Sequence, residues 1–91
     1  METFRLDGDD RHLYFRNLRG ISDDEEFESI MAVLKSLGCK IVDQQMAPYC
    51  DVVSCVYQEH SFKVIRTIDG DGNYIYTDKP VALACLEKLF E

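Results

Sequence analysis

The sequence predicts an α+β fold in which two amphipathic helices pack on one face of an antiparallel sheet. Three observations support this prediction: two segments with helical spacing of apolar residues, several short segments rich in β-branched and aromatic residues, and very short links between those segments. Links this short join antiparallel neighbours, because a parallel connection needs about a dozen residues or more. The 91 residues are enough for a single domain with its own core.

The predicted sheet consists of a short N-terminal hairpin and a four-strand meander. In the hairpin, TFRL and RHLYFRNL flank the turn-forming DGDD. The strands of the meander are rich in the residue types that favour extended backbone. They are CKIVDQQM, DVVSCVY, SFKVIRTI and NYIYT, separated by APYC, QEH and DGDG.

The first helix has clear start and stop signals. Ser22 and Glu25 have the spacing of a capping box, and Gly38 is placed to end the helix. Acidic residues follow the cap, where a helix N-terminus favours negative charge. The apolar stripe comprises Phe27, Ile30, Met31, Leu34 and Leu37.

The second helix is expected to begin around Pro80, with Thr77 or Asp78 as its cap. Its apolar residues recur at helical spacing and form one continuous stripe. They are Ala82, Cys85, Leu86, Leu89 and Phe90.

One segment resembles a calcium-binding loop, because acidic and amide residues alternate from Asp69 onward in TIDGDGNYIYTD. An EF-hand loop starting at Asp69 would need glycine at its sixth position and glutamate at its twelfth, and those positions hold Tyr74 and Pro80. We therefore interpret DGDG as a hairpin turn whose glycines adopt positive φ angles. The same interpretation applies to DGDD at residues 7–10, and we expect neither a metal ion nor a cofactor.

Composition is that of an ordinary globular protein, with 46% hydrophobic and 30% charged residues. No apolar run approaches the ~20 residues of a membrane helix, and METFRLDGDD is acidic where a secretory signal would be basic and then apolar. We expect a cytoplasmic protein. The four cysteines, Cys39, Cys50, Cys55 and Cys85, are then expected to be reduced.

The net charge of −7 argues against binding to nucleic acid, which depends on lysine and arginine neutralising phosphates. Many of the acids lie in turns or at a helix start, where they serve local structure. A second interpretation is that the acids near the N-terminus gather on one edge and bind a basic protein partner. That set is Asp7, Asp9, Asp10, Asp23, Asp24, Glu25 and Glu26.

From Ser22 onward, the order helix, strands, helix resembles that of a double-stranded-RNA-binding domain. In that family the last helix begins with a lysine cluster that grips phosphate. Here TDKPVALACLEKLFE contains only Lys79 and Lys88, set among acids. The resemblance is therefore limited to topology, and we expect no nucleic-acid partner.

Tyr74 and Tyr76 share one face of their strand, while Ile75 points to the other. If the helices cover the tyrosine side, both residues belong to the core, and this is the interpretation that we favour. If the helices cover the Ile75 side, the tyrosines are exposed and favour binding of a partner or a second copy.

The leading functional prediction is a non-enzymatic protein-interaction module of the accessory, immunity or inhibitor type. It would bind a basic protein, or a second copy of itself, through Asp23, Asp24, Glu25 and Glu26 or through Tyr74 and Tyr76. The alternative is a small cysteine-dependent enzyme that uses Cys55 or Cys50 with His60. No CxxC pair is present, which argues against a structural zinc site.

Overall fold

The computed structural model describes residues 2–16, 20–67 and 72–90. Its elements confirm the predicted α+β class, with an antiparallel sheet and two helices. In chain order they are β1 (Thr3–Phe4), β2 (His12–Phe15), α1 (Asp23–Ser36), β3 (Lys40–Met46), β4 (Cys50–Tyr57), β5 (His60–Thr67), β6 (Asn73–Tyr76) and α2 (Pro80–Leu89). Over these residues, neither helix has the length and apolar character needed to cross a membrane.

All six strands form one antiparallel sheet in the order β1-β2-β6-β5-β4-β3. β2 pairs with β6, so the N-terminal hairpin extends the sheet beside the last strand. One cross-strand row runs through Leu13, Ile75, Val64 and Val53. All four side chains are buried, so this row faces the core.

The hydrophobic core joins that row to side chains from both helices. Phe15 of β2 meets Phe90 edge to face, with ring centroids 5.0 Å apart. Leu37, which was predicted to continue the apolar stripe of α1, is the C-cap of the helix and is exposed. The helical residues in the core are Ile30, Met31, Leu34, Leu83 and Leu86.

Both ends of α1 follow the sequence signals. The Ser22 hydroxyl accepts a hydrogen bond from the Glu25 amide at 3.2 Å. At the other end, Gly38 has a φ of 90° and its amide bonds the Lys35 carbonyl, while the Cys39 amide bonds the Leu34 carbonyl. This pair of bonds is a Schellman motif, which needs a residue that tolerates positive φ at the glycine position.

The cap predicted for α2 is wrong. The N-cap is Lys79, whose side chain makes no capping bond, and neither Thr77 nor Asp78 occupies that position. The Thr77 hydroxyl is instead buried and donates to the Ser61 carbonyl at 3.0 Å. Thr77 therefore ties the end of β6 to β5.

The DGDD segment forms a turn. The Asp9 amide bonds the Leu6 carbonyl at 3.0 Å, and Gly8 has a φ of 80°, as the third residue of a type II turn requires. In the DGDG segment, residues 69–71 lie outside the described part of the chain. Its last glycine, Gly72, has a φ of 87°.

Candidate functional site

The face of the sheet opposite the core contains a group of aromatic side chains. Leu13 and Ile75 point into the core, so strand alternation turns their neighbours outward. The interpretation of the two β6 tyrosines as core residues is therefore wrong, because Ile75 occupies the core-facing position. The outward group, here called the outer aromatic cluster, is Phe4, His12, Tyr14, Tyr74 and Tyr76.

The rings of this cluster contact one another across three strands. Tyr14 stacks on Phe4 with centroids 5.5 Å apart and meets Tyr74 at 5.7 Å. His12 lies 5.7 Å from Tyr74 and 5.2 Å from Tyr76. Aromatic pairs at such distances contribute about 0.5–1.5 kcal/mol beyond simple burial. The five side chains are half-buried, so each ring is held by its neighbours and still reaches solvent.

Asp9 holds His12 in this arrangement. Its carboxylate lies 2.8 Å from Nδ1 of His12 and also accepts the backbone N–H groups of Arg11 and His12. The Arg11 N–H first, and then His12, keep the pKa of Asp9 below its ordinary value. The β1–β2 turn therefore places a carboxylate at one end of the cluster.

At the other end, Arg16 lies over the cluster, with its guanidinium carbon 5.0 Å from the centre of the Phe4 ring. This is the geometry of a cation–π contact. Burial, followed by the neighbouring Cys50 and Tyr14, raises the pKa of Tyr74. Its hydroxyl therefore remains protonated at neutral pH and can donate a hydrogen bond.

Toward β4, the aromatic cluster borders a shallow depression of about 360 Å³. Tyr76 forms the wall between the two. Lys63 is paired directly with Tyr76 on the neighbouring strand, and Asp78 follows on the chain. The depression extends the outer face with side chains of both charges.

The four acids at the start of α1 do not share one environment. Glu26 is buried, with 4% of its surface exposed, and accepts a hydrogen bond from Nδ2 of Asn73 at 2.9 Å. Asp24 is exposed and accepts from Arg66 at 3.1 Å. Asp23 is half-buried, and Glu25 is exposed. Helical spacing explains why Glu26 is buried, because it lies one turn before the core residue Ile30 and on the same face of the helix.

Two of the predicted acids contact opposite ends of β6. Asp9 bonds His12, which pairs with Tyr76 at the C-terminal end of β6. The carboxylate of Glu26 and the main-chain carbonyl of Asp23 instead accept hydrogen bonds from Nδ2 of Asn73, at the N-terminal end of that strand. The β6 residues at which these contacts end, Tyr76 and Asn73, are about 10 Å apart along the strand.

The two thiols of the alternative hypothesis lie differently with respect to His60. Cys50 is paired with Thr67, whereas His60 is paired with Tyr57, so seven ladder positions or about 23 Å separate Cys50 from His60. Cys55 is buried on the core face, and burial raises its pKa to about 11. No hydrogen bond links either thiol to His60 among the residues that the structure describes.

Sequence reasoning identified Tyr74 and Tyr76 but missed three members of the cluster. Phe4, His12 and Tyr14 join it because β1 pairs with β2 and β2 pairs with β6. Alternation within RHLYF indicates that His12 and Tyr14 share a face. No local signal indicates which strand lies beside them.

Within the described ranges, no group of three or more histidine, cysteine, aspartate or glutamate side chains is arranged to hold a metal ion. Comparisons of this chain with protein-family models, with curated proteins and with solved structures find no match.

Proposed function

We propose that this protein is a non-enzymatic protein-interaction module that binds a basic partner segment on the outer aromatic cluster. The observation that supports this proposal is the set of five mutually contacting, half-exposed aromatic rings on one face of the sheet. A small acidic module of this kind suits an accessory, immunity or inhibitor role in the cytoplasm.

The outer face has the properties of a preorganised binding surface. Tyrosine is enriched at protein interfaces because it offers a large contact area and few torsions to immobilise. Here strand pairing and ring contacts already restrict Tyr14, Tyr74 and Tyr76. We infer that both helices pack on the opposite face, because their buried side chains share one core with Leu13 and Ile75. The rings would then be free to meet a partner.

The charge of the chain favours a basic partner. A net charge of −7 attracts cationic proteins at long range and speeds their association. At contact, tyrosine ring faces attract arginine and lysine side chains. The position of Arg16 over Phe4 is an example of this contact within the chain itself. A partner arginine placed over Tyr14 or Tyr74 would make the same interaction.

The test is capture of partners from lysate of the source cell at low and high salt, with the wild type compared with a Tyr74→Thr/Tyr76→Thr double variant. Threonine is β-branched and therefore suits a strand, but it removes the rings. The matched control is Tyr74→Phe/Tyr76→Phe, which keeps them. We expect a stoichiometric partner that is weakened by salt, lost with threonine and retained with phenylalanine. A partner that binds the threonine variant as well as the wild type would contradict the proposed site.

Charge reversal at Asp24 and Glu25 tests whether the partner binds at the aromatic cluster or at the start of α1. Both residues are exposed, and the described contact of the Asp24 side chain is with Arg66 and not with a ring of the aromatic cluster. The Asp24→Lys/Glu25→Lys variant should associate more slowly but keep its partner, because distant charges act mainly on the association rate. Loss of the partner in this variant alone would place the binding surface at the start of α1.

A further inference from the structure

β3 is an edge strand that the rest of the structure leaves uncovered. It pairs with β4 on one side and with no described strand on the other. All seven of its residues, Lys40–Met46, are exposed, whereas the opposite edge of the sheet is the two-residue strand β1. A long exposed edge offers a row of backbone donors and acceptors to another strand.

The exposed edge contains large apolar side chains. Val42 is 62% exposed and Met46 is 85% exposed, and Tyr49 in the following turn is 83% exposed. Ile41 and Met46 also line a groove of about 300 Å³ between this edge and α1, whose far wall includes Met31. Clustered apolar surface of this kind indicates an interaction site.

We propose that β3 pairs in antiparallel orientation with β3 of a second copy, which joins the two six-stranded sheets in a symmetric dimer. Charge at this edge does not oppose pairing of two copies. Lys40 and Asp43 are the only charged residues of β3, and their charges cancel. The strand is therefore neutral, although the whole chain has a net charge of −7. Two copies that approach through β3 therefore meet at a neutral edge and keep most of their acidic surface apart.

The register follows from the direction of the side chains. A bulge at Val42 separates the pairs Ile41–Cys55 and Asp43–Ser54, so Ile41, Gln44 and Met46 all point to the groove side. With the two-fold axis at Gln44, Gln44 faces Gln44 of the second copy. Because the bulge makes Ile41 and Val42 occupy one ladder position, Ile41 then lies opposite Met46, and Asp43 lies opposite the amide of Gln45. Each of these five residues thus meets a partner that points to the same face and suits it chemically.

Sedimentation equilibrium of the wild type over a range of concentrations tests the dimer. We expect self-association with a dissociation constant on the order of micromolar, typical of a small interface. Hydrogen exchange of the same samples should show stronger protection of amides in Lys40–Met46 at high concentration. A wild type that stays monomeric at about 1 mM would overturn the proposal.

Charge variants at the two-fold axis test the register. Gln44→Lys places two lysines opposite each other, and Gln44→Glu places two glutamates there. Because like charges opposite each other repel, each variant should raise the dissociation constant of the dimer about fivefold or more. An equimolar mixture of the two variants should associate more tightly than either alone. Val81→Lys, a charge change at a residue of α2 that is 73% exposed, should leave the dimer unchanged. A mixture no tighter than its components would overturn the Gln44 register.

Self-association through β3 is independent of partner binding on the aromatic cluster. The Tyr74→Thr/Tyr76→Thr variant should therefore dimerise like the wild type, whatever happens to its partner. Loss of the dimer in this variant would place the self-contact on the outer face and overturn the β3 edge as the interface.

Discussion

The side-chain amide of Asn73 donates to the carboxylate of Glu26 at 2.9 Å and so joins β6 to the first turn of α1. The same Nδ2 also donates to the Asp23 carbonyl at 2.9 Å. Asn73 and Glu26 are both 4% exposed. The first turn of the helix is thus bound to the sheet through buried polar groups, whose loss costs more than that of surface contacts.

Asn73→Ala should lower the free energy of unfolding by about 1–3 kcal/mol, because Glu26 would stay buried without its donor. Glu26→Gln keeps an acceptor oxygen and should cost less. Urea unfolding followed by circular dichroism gives both values. As a control, Glu28→Gln changes an exposed carboxylate on the same helix and should stay within about 0.5 kcal/mol of the wild type. An Asn73→Ala variant as stable as this control would show that the buried bond contributes little.

Arg66 bonds two aspartates whose exposure differs strongly, and this allows a matched comparison. Asp51, which bonds Nη2, has a side chain that is 11% exposed, whereas that of Asp24, which bonds Nη1, is 81% exposed. Asp51→Asn should destabilise the protein by about 1–3 kcal/mol, and Asp24→Asn by under about 0.5 kcal/mol. Thermal and urea unfolding of the two variants measure the difference. Equal losses of stability in the two variants would mean that solvent exposure does not determine how much each aspartate contributes.

Cys55 should be the slowest of the four thiols to react in the folded protein. With a pKa of about 11, only roughly one molecule in ten thousand would hold the thiolate at neutral pH, and the side chain is 1% exposed. Labelling with a thiol reagent, followed by peptide mass spectrometry, measures the rate at each cysteine. The unfolded chain in urea provides the reference rates. Rapid labelling of native Cys55 would instead favour the cysteine-enzyme hypothesis.

Asp9 should contribute to stability near neutral pH and lose this contribution in acid. Its folded pKa lies below the ordinary value of 3.8, so the ionised form stabilises the fold above that value. The contribution is lost as the pH falls through the lower, folded pKa. Asp9→Asn should therefore be less stable than the wild type near pH 7, and the difference should shrink at about pH 2.5.

Urea unfolding at both pH values, together with NMR titration of the Asp9 carboxyl group, measures this effect. The control is Asp10→Asn, which removes an adjacent exposed carboxylate with no hydrogen bond to the turn among the described contacts. A wild-type Asp9 that titrates at or above 3.8 would contradict the prediction.

The sequence alone was sufficient for features that depend on neighbouring residues. Ser22 caps α1 and Gly38 ends it because both act on backbone groups within one turn of the helix. The strand segments were also recognisable, because their short β-branched and aromatic runs are separated by turn residues. The α+β class followed from these local patterns.

Only the tertiary structure decided which side chains face the core, the solvent and one another. Alternation places Tyr74 and Ile75 on opposite faces but does not say which face the core covers. Likewise, acidity predicts Glu26 at the helix surface, but its position one turn before Ile30 buries it against Asn73. The aromatic cluster exists because β2 pairs with β6, a contact between residues some 60 positions apart. Pairing at that separation depends on how the whole chain buries its apolar surface, which no local pattern contains.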